Sequence, residues 1–138
     1  IMSLKDTFLN NPDRSILLGT SSFWEGIDIP GDDLICVMIH KLPFDIPSDP
    51  LHKTRGQLFQ NPFYQYTMPR AILKFKQGFG RLIRSQKDYG VMIILDNALT
   101  RKDYGQFFLK SLPNVAVEKL KCAEIAPLMK EWLKLQKN

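Results

Sequence analysis

Residues 68–87 read MPRAILKFKQGFGRLIRSQK, a stretch with six basic side chains and no acidic one. Its apolar residues recur at helical spacing, at Ile72, Phe75, Phe79, Leu82 and Ile83. This pattern predicts an amphipathic helix with one face buried in a core. On the same spacing Gln77, Arg81 and Arg84 (i, i+4, i+7) are predicted to share the opposite face. The stretch therefore predicts both a buried helix and a row of polar groups.

The predicted polar face carries two guanidinium groups and one amide, which suits the phosphates of a nucleotide. A basic helix face is also commonly just solvated surface, so charge alone leaves both interpretations open. Gly78 and Gly80 favour the functional one, because a glycine inside a helix costs about 1 kcal/mol relative to alanine. We expect another backbone or a ligand to come close to these glycines.

The composition fits one globular domain, residues 1–138, with 44% hydrophobic content and a net charge of +5. The charge indicates anionic partners. Cys36 and Cys122 are far apart, which predicts free thiols in a reducing cytosol and no metal site. No apolar run reaches the ~18 residues that a membrane span needs, so no membrane partner is expected. The chain begins Ile1-Met2, which suggests an excised piece or a processed product.

Short apolar runs alternate with helical patterns along the chain. The runs at 15–20, 34–39 and 91–95 are predicted strands, and a short edge strand is predicted at 115–117. Helices are predicted over 1–11, 68–87, 100–112 and 124–137. Together they predict a three-layer α/β domain with a parallel sheet and helices on both faces.

Residues 43–67 are predicted to form an insertion that leaves the sheet, with one helix from about Pro50 to Phe59. Prolines and aromatic residues crowd this segment. Long connections often face a partner, and the aromatic residues of 59–66 are candidates for stacking on nucleic-acid bases. An ordered flap whose aromatic rings cover the core is an equally good interpretation.

The first apolar run leads into residues 19–31, GTSSFWEGIDIPG, at the end of a predicted strand, where open parallel sheets bind ligands. Hydroxyls and amides of Thr20, Ser21 and Ser22 are candidates for holding a sugar-phosphate backbone. Gly26 permits close backbone approach, and Asp28 is a candidate to accept from a ribose hydroxyl or to hold a water.

Two segments together resemble a known family. Residues 20–28, TSSFWEGID, resemble motif V of superfamily 2 helicases, and residues 77–84, QGFGRLIR, resemble motif VI. Over about residues 13–113, the sequence is similar to the bacterial DinG branch of these helicases. The further matching segments are Leu42–Phe44, Pro47–Pro50, Tyr66–Ala71, Ile94–Asp96, Tyr104–Gly105 and Ser111–Pro113.

The resemblance implies the second RecA-like (P-loop NTPase-like) motor domain of an ATP-dependent DNA helicase. In that family ATP lies between two such domains, so Arg81 and Arg84 are expected to act as arginine fingers. Gln77 is expected to orient the attacking water or contact the γ-phosphate. Gly26 and Asp28 would couple the nucleotide to single-stranded DNA held near Thr20 to Ser22, in the bacterial cytoplasm.

The chain lacks the G-x-x-x-x-G-K-[ST] loop, since Asp32 follows the glycine spacing of Gly26 and Gly31 where a lysine is required. The acidic pair of the DEAH type is absent too. ATP and Mg²⁺ are therefore expected to bind mainly to the N-terminal motor domain, the partner, and this chain alone is expected to be inactive. Two alternatives stay open: the DNA-binding part of a DinG-like exonuclease, and a non-catalytic nucleic-acid-binding module.

Overall fold

The computed structural model describes residues 2–11, 15–20, 29, 33–85 and 87–136. Its helices and strands are α1 Met2–Leu9, β1 Cys36–Ile39, α2 Pro50–Gly56, a π-helical turn Phe63–Thr67, α3 Met68–Leu82, β2 Val91–Ile94, α4 Ala98–Arg101, α5 Gly105–Lys110 and α6 Cys122–Gln136. Strands and helices alternate and the strands are parallel, which confirms the α/β class. None of the helices in these ranges is long and apolar enough to cross a membrane.

The sheet is formed by β1 and β2, with Cys36 opposite Val91 and Ile39 opposite Ile94. The chain that connects them includes α3, which packs on one face of the sheet. Side chains alternate between the faces of a strand, and the face directed at α3 carries Val37, Ile39, Met92 and Ile94. On the other face Met38 is 59% exposed. Within the described residues, the packed core therefore lies mainly on the α3 side.

Helix α3 follows the predicted pattern closely. Proline stands in its first turn, where a missing N–H costs nothing, and Met68, Ala71, Phe75 and Leu82 are buried. Phe75 is completely buried and meets the equally buried Phe108 of α5 edge to face, with ring centroids 5.4 Å apart. Burying one such side chain contributes about 1.5–3 kcal/mol. Of the predicted apolar face, Phe75 and Leu82 are buried, Ile72 and Phe79 are half-buried, and Ile83 lies beyond the end of the helix.

Two predicted strands are wrong for the described structure. Residues 15–20 form neither helix nor strand, and Ile16 and Leu18 are 87% and 84% exposed. Residues 115–117 are likewise irregular, with Val117 59% exposed. An apolar run specifies a buried strand only when a neighbouring strand pairs with it, and the described residues offer these runs no such neighbour.

The predicted helix 100–112 is divided into α4 and α5, because Lys102 adopts an extended backbone, with φ −104° and ψ 141°. The two short helices then approach so closely that a Cβ on Gly105 would lie 2.0 Å from the carbonyl oxygen of Leu99. Asp96, just after β2, accepts from the amides of Ala98 (2.9 Å) and Leu42 (3.0 Å). This carboxylate ties the chain leaving β1 to the start of α4.

Residues 43–67 are ordered and are fastened to α3 by Asp45. Its carboxylate accepts from Arg70 Nε at 2.8 Å and from Lys74 Nζ, both on α3. His52 Nδ1 lies 3.3 Å from Asp45 Oδ2 without completing a hydrogen bond. Burial alone would raise the pKa of Asp45, but the hydrogen bonds from Lys74 and Arg70 lower it below its usual value. The helix in this insertion ends at Gly56, earlier than predicted.

We predict that Gly105→Ala destabilises the domain by about 1–3 kcal/mol, because the new methyl group overlaps the Leu99 backbone. Urea unfolding of the protein measures the loss. Gly56→Ala is the matched control, since its Cβ would meet only Pro62 and Tyr66 side chains at 3.6 and 3.9 Å. Equal stability of the Gly105 and Gly56 variants would contradict the close packing of α4 on α5.

We predict that Asp45→Asn lowers the stability at pH 7 by about 1–3 kcal/mol, because Arg70 and Lys74 lose the negative charge of their partner and one of its two acceptor oxygens. The folded-state pKa of Asp45 is lowered, so its stabilisation is complete above the unfolded pKa of about 3.9. It is lost as the pH falls through the folded pKa.

The acid limb of a plot of unfolding free energy against pH should therefore be flatter in Asp45→Asn than in the wild type. Asp103→Asn serves as the control, because that residue is exposed and its one described hydrogen bond uses the backbone carbonyl. Acid limbs of the same slope in Asp45→Asn and the wild type would refute the role given to this carboxylate.

Candidate functional site

Gln77 and Arg81 lie on α3, four residues apart and away from its buried face. Gln77 is exposed and Arg81 is half-buried, whereas Phe75 and Leu82 of the same helix are in the core. Residues at i and i+4 are neighbours on a helix surface. The structure therefore brings these two predicted site residues together, on a helix whose position is fixed by the packing of its other face.

Arg84 departs from the prediction. Helix α3 ends at Leu82, and Ile83 is extended, with φ −119° and ψ 107°. The prediction that Arg84 continues the helical row of Gln77 and Arg81 is therefore wrong. Arg84 lies in the turn after the helix, where its backbone N–H donates to Asp88 Oδ2 at 2.7 Å. Its guanidinium Nη2 donates to the carbonyl oxygen of Ile29.

The Ile29 contact relates the two segments that sequence analysis singled out. Ile29 directly follows Asp28, and it is 4% exposed in a small cluster with Phe8 of α1. Ile29, the residue after the 20–28 segment, therefore lies beside the turn that follows α3. Of the predicted residues in that segment, Thr20 is described and exposed. The others, Ser21, Ser22, Gly26 and Asp28, lie outside the described residues.

The two glycines of α3 differ in their surroundings. Gly78 is buried on the packed side of the helix. Gly80 is exposed, and a Cβ built on it meets nothing within 4 Å in the described part of the chain. The expected approach of another backbone to Gly80 is therefore not found within those residues.

Sequence analysis missed Asp88. Its Oδ2 accepts from the amides of Arg84 and Ser85, each at 2.7 Å. These two backbone hydrogen bonds, the one from Arg84 first, lower the pKa of Asp88 and favour its charged form. The signal was present, since Ser85 and Asp88 have the spacing at which small polar side chains close turns.

The aromatic residues proposed for base stacking are used mostly in packing. Phe59 stacks on Tyr66 with centroids 5.4 Å apart, and Arg70 covers the same ring at 5.3 Å. Phe63 packs on Phe44, at 5.9 Å. A groove of about 480 Å³ opens along α2 and the π-helical turn, between Phe44, Pro62 and Thr67 among others. Phe63 and Tyr66 therefore fit the interpretation in which the aromatic rings cover the core. Phe59 and Tyr64 remain partly exposed.

These features define an α/β domain with a glutamine and two arginines around the end of one helix, where Arg84 contacts Ile29. The model of the helicase C-terminal domain family matches residues 2–115 of the chain. The chain belongs to this family, as a C-terminal helicase domain of the DinG-like kind. The resemblance in the sequence is thereby confirmed.

The similar curated proteins carry two names. The chain is 46% identical over 116 residues to 3′-5′ exonuclease DinG of Bacillus subtilis, covering 81% of this chain and 12% of that protein. It is 51% identical over 105 residues to ATP-dependent DNA helicase YoaA of Haemophilus influenzae, covering 73% and 16%. It is 38% identical over 128 residues to 3′-5′ exonuclease DinG of Staphylococcus aureus, covering 93% and 14%. The chain thus spans between 12% and 16% of these relatives.

Proposed function

We propose that this chain is the second motor domain of a longer, ATP-dependent DNA helicase of the DinG type. Membership of the helicase C-terminal domain family supports a motor domain. The observation that carries the finer proposal is the contact of Arg84 with the Ile29 carbonyl. It brings the turn after α3 to Ile29, the residue that directly follows Asp28 in the sequence, and this supports a proposal in which both segments serve one nucleotide.

Gln77, Arg81 and Arg84 are the groups we assign to ATP and its Mg²⁺, which the N-terminal motor domain would hold for the most part. The exposed amide of Gln77 and the open space beside Gly80 leave room for a ligand on this side of α3. Mg-ATP supplies the phosphoryl group that passes to water. Gln77 orients the attacking water, and the two guanidinium groups stabilise the negative charge that develops, an effect worth about 10³–10⁵ in rate for an arginine finger.

Thr20, Ser21 and Ser22 are assigned to single-stranded DNA, with hydroxyls and amides that hold phosphates without reading sequence. Thr20 is exposed. Gly26 and Asp28 then connect this DNA contact to the nucleotide. The net charge of +5 favours the same polyanionic partners.

A second candidate follows from the relatives named 3′-5′ exonuclease DinG. In this alternative the longer protein is a nuclease, and the chain serves mainly to bind DNA beside an exonuclease domain. The residues that precede this chain in the longer protein decide between the two, because an exonuclease domain would show its own acidic metal ligands there.

We predict that Arg81→Ala and Arg84→Ala each lower the kcat of DNA-stimulated ATP hydrolysis by about 100-fold or more in the full-length protein. The reason is the loss of positive charge where the transferred phosphoryl group gains negative charge. Steady-state phosphate release at saturating single-stranded DNA measures the effect. Arg101→Ala, an exposed arginine of α4, is the matched control.

Circular dichroism and thermal unfolding should be unchanged in Arg81→Ala, since Arg81 lies off the buried face of α3. Full ATPase activity in both arginine variants would overturn the roles proposed for this helix end. Loss of activity in Arg101→Ala as well would show that the assay responds to charge in general.

We predict that Gly80→Ala makes the domain more stable by about 0.5–1 kcal/mol but lowers the ATPase activity of the full-length protein by about tenfold. Stability rises because alanine favours the helix and the methyl group enters open space. The ATPase activity falls because, in the proposed function, this side of α3 faces the nucleotide and the N-terminal motor domain. Gly56→Ala is the control for activity, and a stabilised, fully active Gly80→Ala would place the nucleotide elsewhere.

A further inference from the structure

The turn that follows α3 is held by one carboxylate. Asp88 Oδ2 accepts from the N–H groups of Arg84 and Ser85, both at 2.7 Å. The N–H of Asp88 in return donates to the carbonyl oxygen of Ser85 at 3.2 Å, and Lys87 N donates to Ser85 Oγ at 3.2 Å. Four hydrogen bonds thus join Arg84, Ser85, Lys87 and Asp88 in this turn.

This loop fixes the backbone of Arg84 where the helix no longer can. The last helical hydrogen bond in the segment is donated by Ile83 N to Phe79 O, so the backbone of Arg84 has left the α3 ladder. The turn delivers the Arg84 guanidinium to the carbonyl oxygen of the buried Ile29. Without an acceptor at position 88, the Arg84 backbone would lose the described bond that sets its direction.

Asp88 itself does not belong to the groups we assign to the nucleotide or to DNA. The donors to its carboxylate are the backbone amides of Arg84 and Ser85, and no step of the proposed ATP hydrolysis uses this carboxylate. Because the two N–H donors favour the charged form, the carboxylate is well suited to accept both at neutral pH. Its contribution to the reaction must therefore pass through the placement of Arg84.

We propose that Asp88 is a positioning residue for Arg84, and that ATP hydrolysis depends on the hydrogen bonds of its Oδ2 to the turn. The inference rests on the function proposed above for Arg84. Misplacing a reacting group by about 1 Å can cost up to about 100-fold in rate. A loosened turn should thus slow the chemical step and leave the affinity for ATP largely as it was.

The test is a double-mutant cycle in the full-length protein, with Arg84→Ala, Asp88→Ala and the double variant. We expect Asp88→Ala to lower the kcat of DNA-stimulated ATP hydrolysis by about tenfold or more, with the KM for ATP changed less than about threefold. The double variant should be no slower than Arg84→Ala alone, because Asp88 acts only through that residue.

Asp88→Asn is the conservative variant, since its amide oxygen can still accept from both N–H groups. It should retain kcat within about threefold of the wild type, although its neutral hydrogen bonds are weaker. Asp103→Ala, an exposed aspartate in the turn between α4 and α5, is the matched control and should be fully active. Thermal unfolding of each variant checks that the fold is kept.

The outcomes separate this inference from the proposed function. If Arg84→Ala loses activity and Asp88→Ala does not, the positioning role is wrong and the function of Arg84 stands. It is also wrong if the two losses multiply in the double variant, or if Asp88→Asn is as slow as Asp88→Ala. If Arg84→Ala itself is fully active, both proposals fail.

Discussion

The burial of one face of α3 is the constraint on which the rest of the domain depends. Phe75 is enclosed between the sheet and Phe108, and the parallel strands β1 and β2 supply the apolar surface beneath it. A helix held on one face cannot rotate without exposing these side chains to water, so the opposite face is fixed as well. The positions of Gln77 and Arg81 are thus consequences of hydrophobic packing, although neither residue takes part in it.

Three aspartates hold the connecting segments against the packed elements. Asp96 ties the chain leaving β1 to α4, Asp45 ties the insertion to the basic side chains of α3, and Asp88 closes the turn after that helix. Asp96 and Asp88 each accept two hydrogen bonds from backbone N–H groups that regular secondary structure leaves unpaired, and Asp45 accepts two from side chains of α3. The irregular segments are thereby held against the elements that the core has already fixed.

The spacing of apolar residues predicts the elements whose structure is set by nearby residues. It fails where contacts between residues far apart in the sequence decide the structure. Helix α3 and strands β1 and β2 carry strong patterns and lie where the sequence predicts them, although α3 ends at Leu82 and not at Lys87. The run 15–20 has the same apolar character as β1, but pairing depends on a neighbouring strand, which a local pattern does not contain. The division between α4 and α5 depends on the approach of Leu99 to Gly105, which is equally invisible in the sequence. For the candidate site, the pairing of Gln77 with Arg81 followed from helical spacing, whereas the turn at Arg84 did not.

Because α3 ends between Arg81 and Arg84, the two arginines are held in place by different interactions. Arg81 lies on the helix, whose position is set by the packing of Phe75 and Leu82. Arg84 lies on a turn that hydrogen bonds define, and its guanidinium reaches the backbone of Ile29. A change at that carbonyl can alter the position of Arg84 without disturbing the core. If the segment before Ile29 contacts DNA, as proposed above, Arg84 is the arginine through which DNA binding can affect the bound nucleotide.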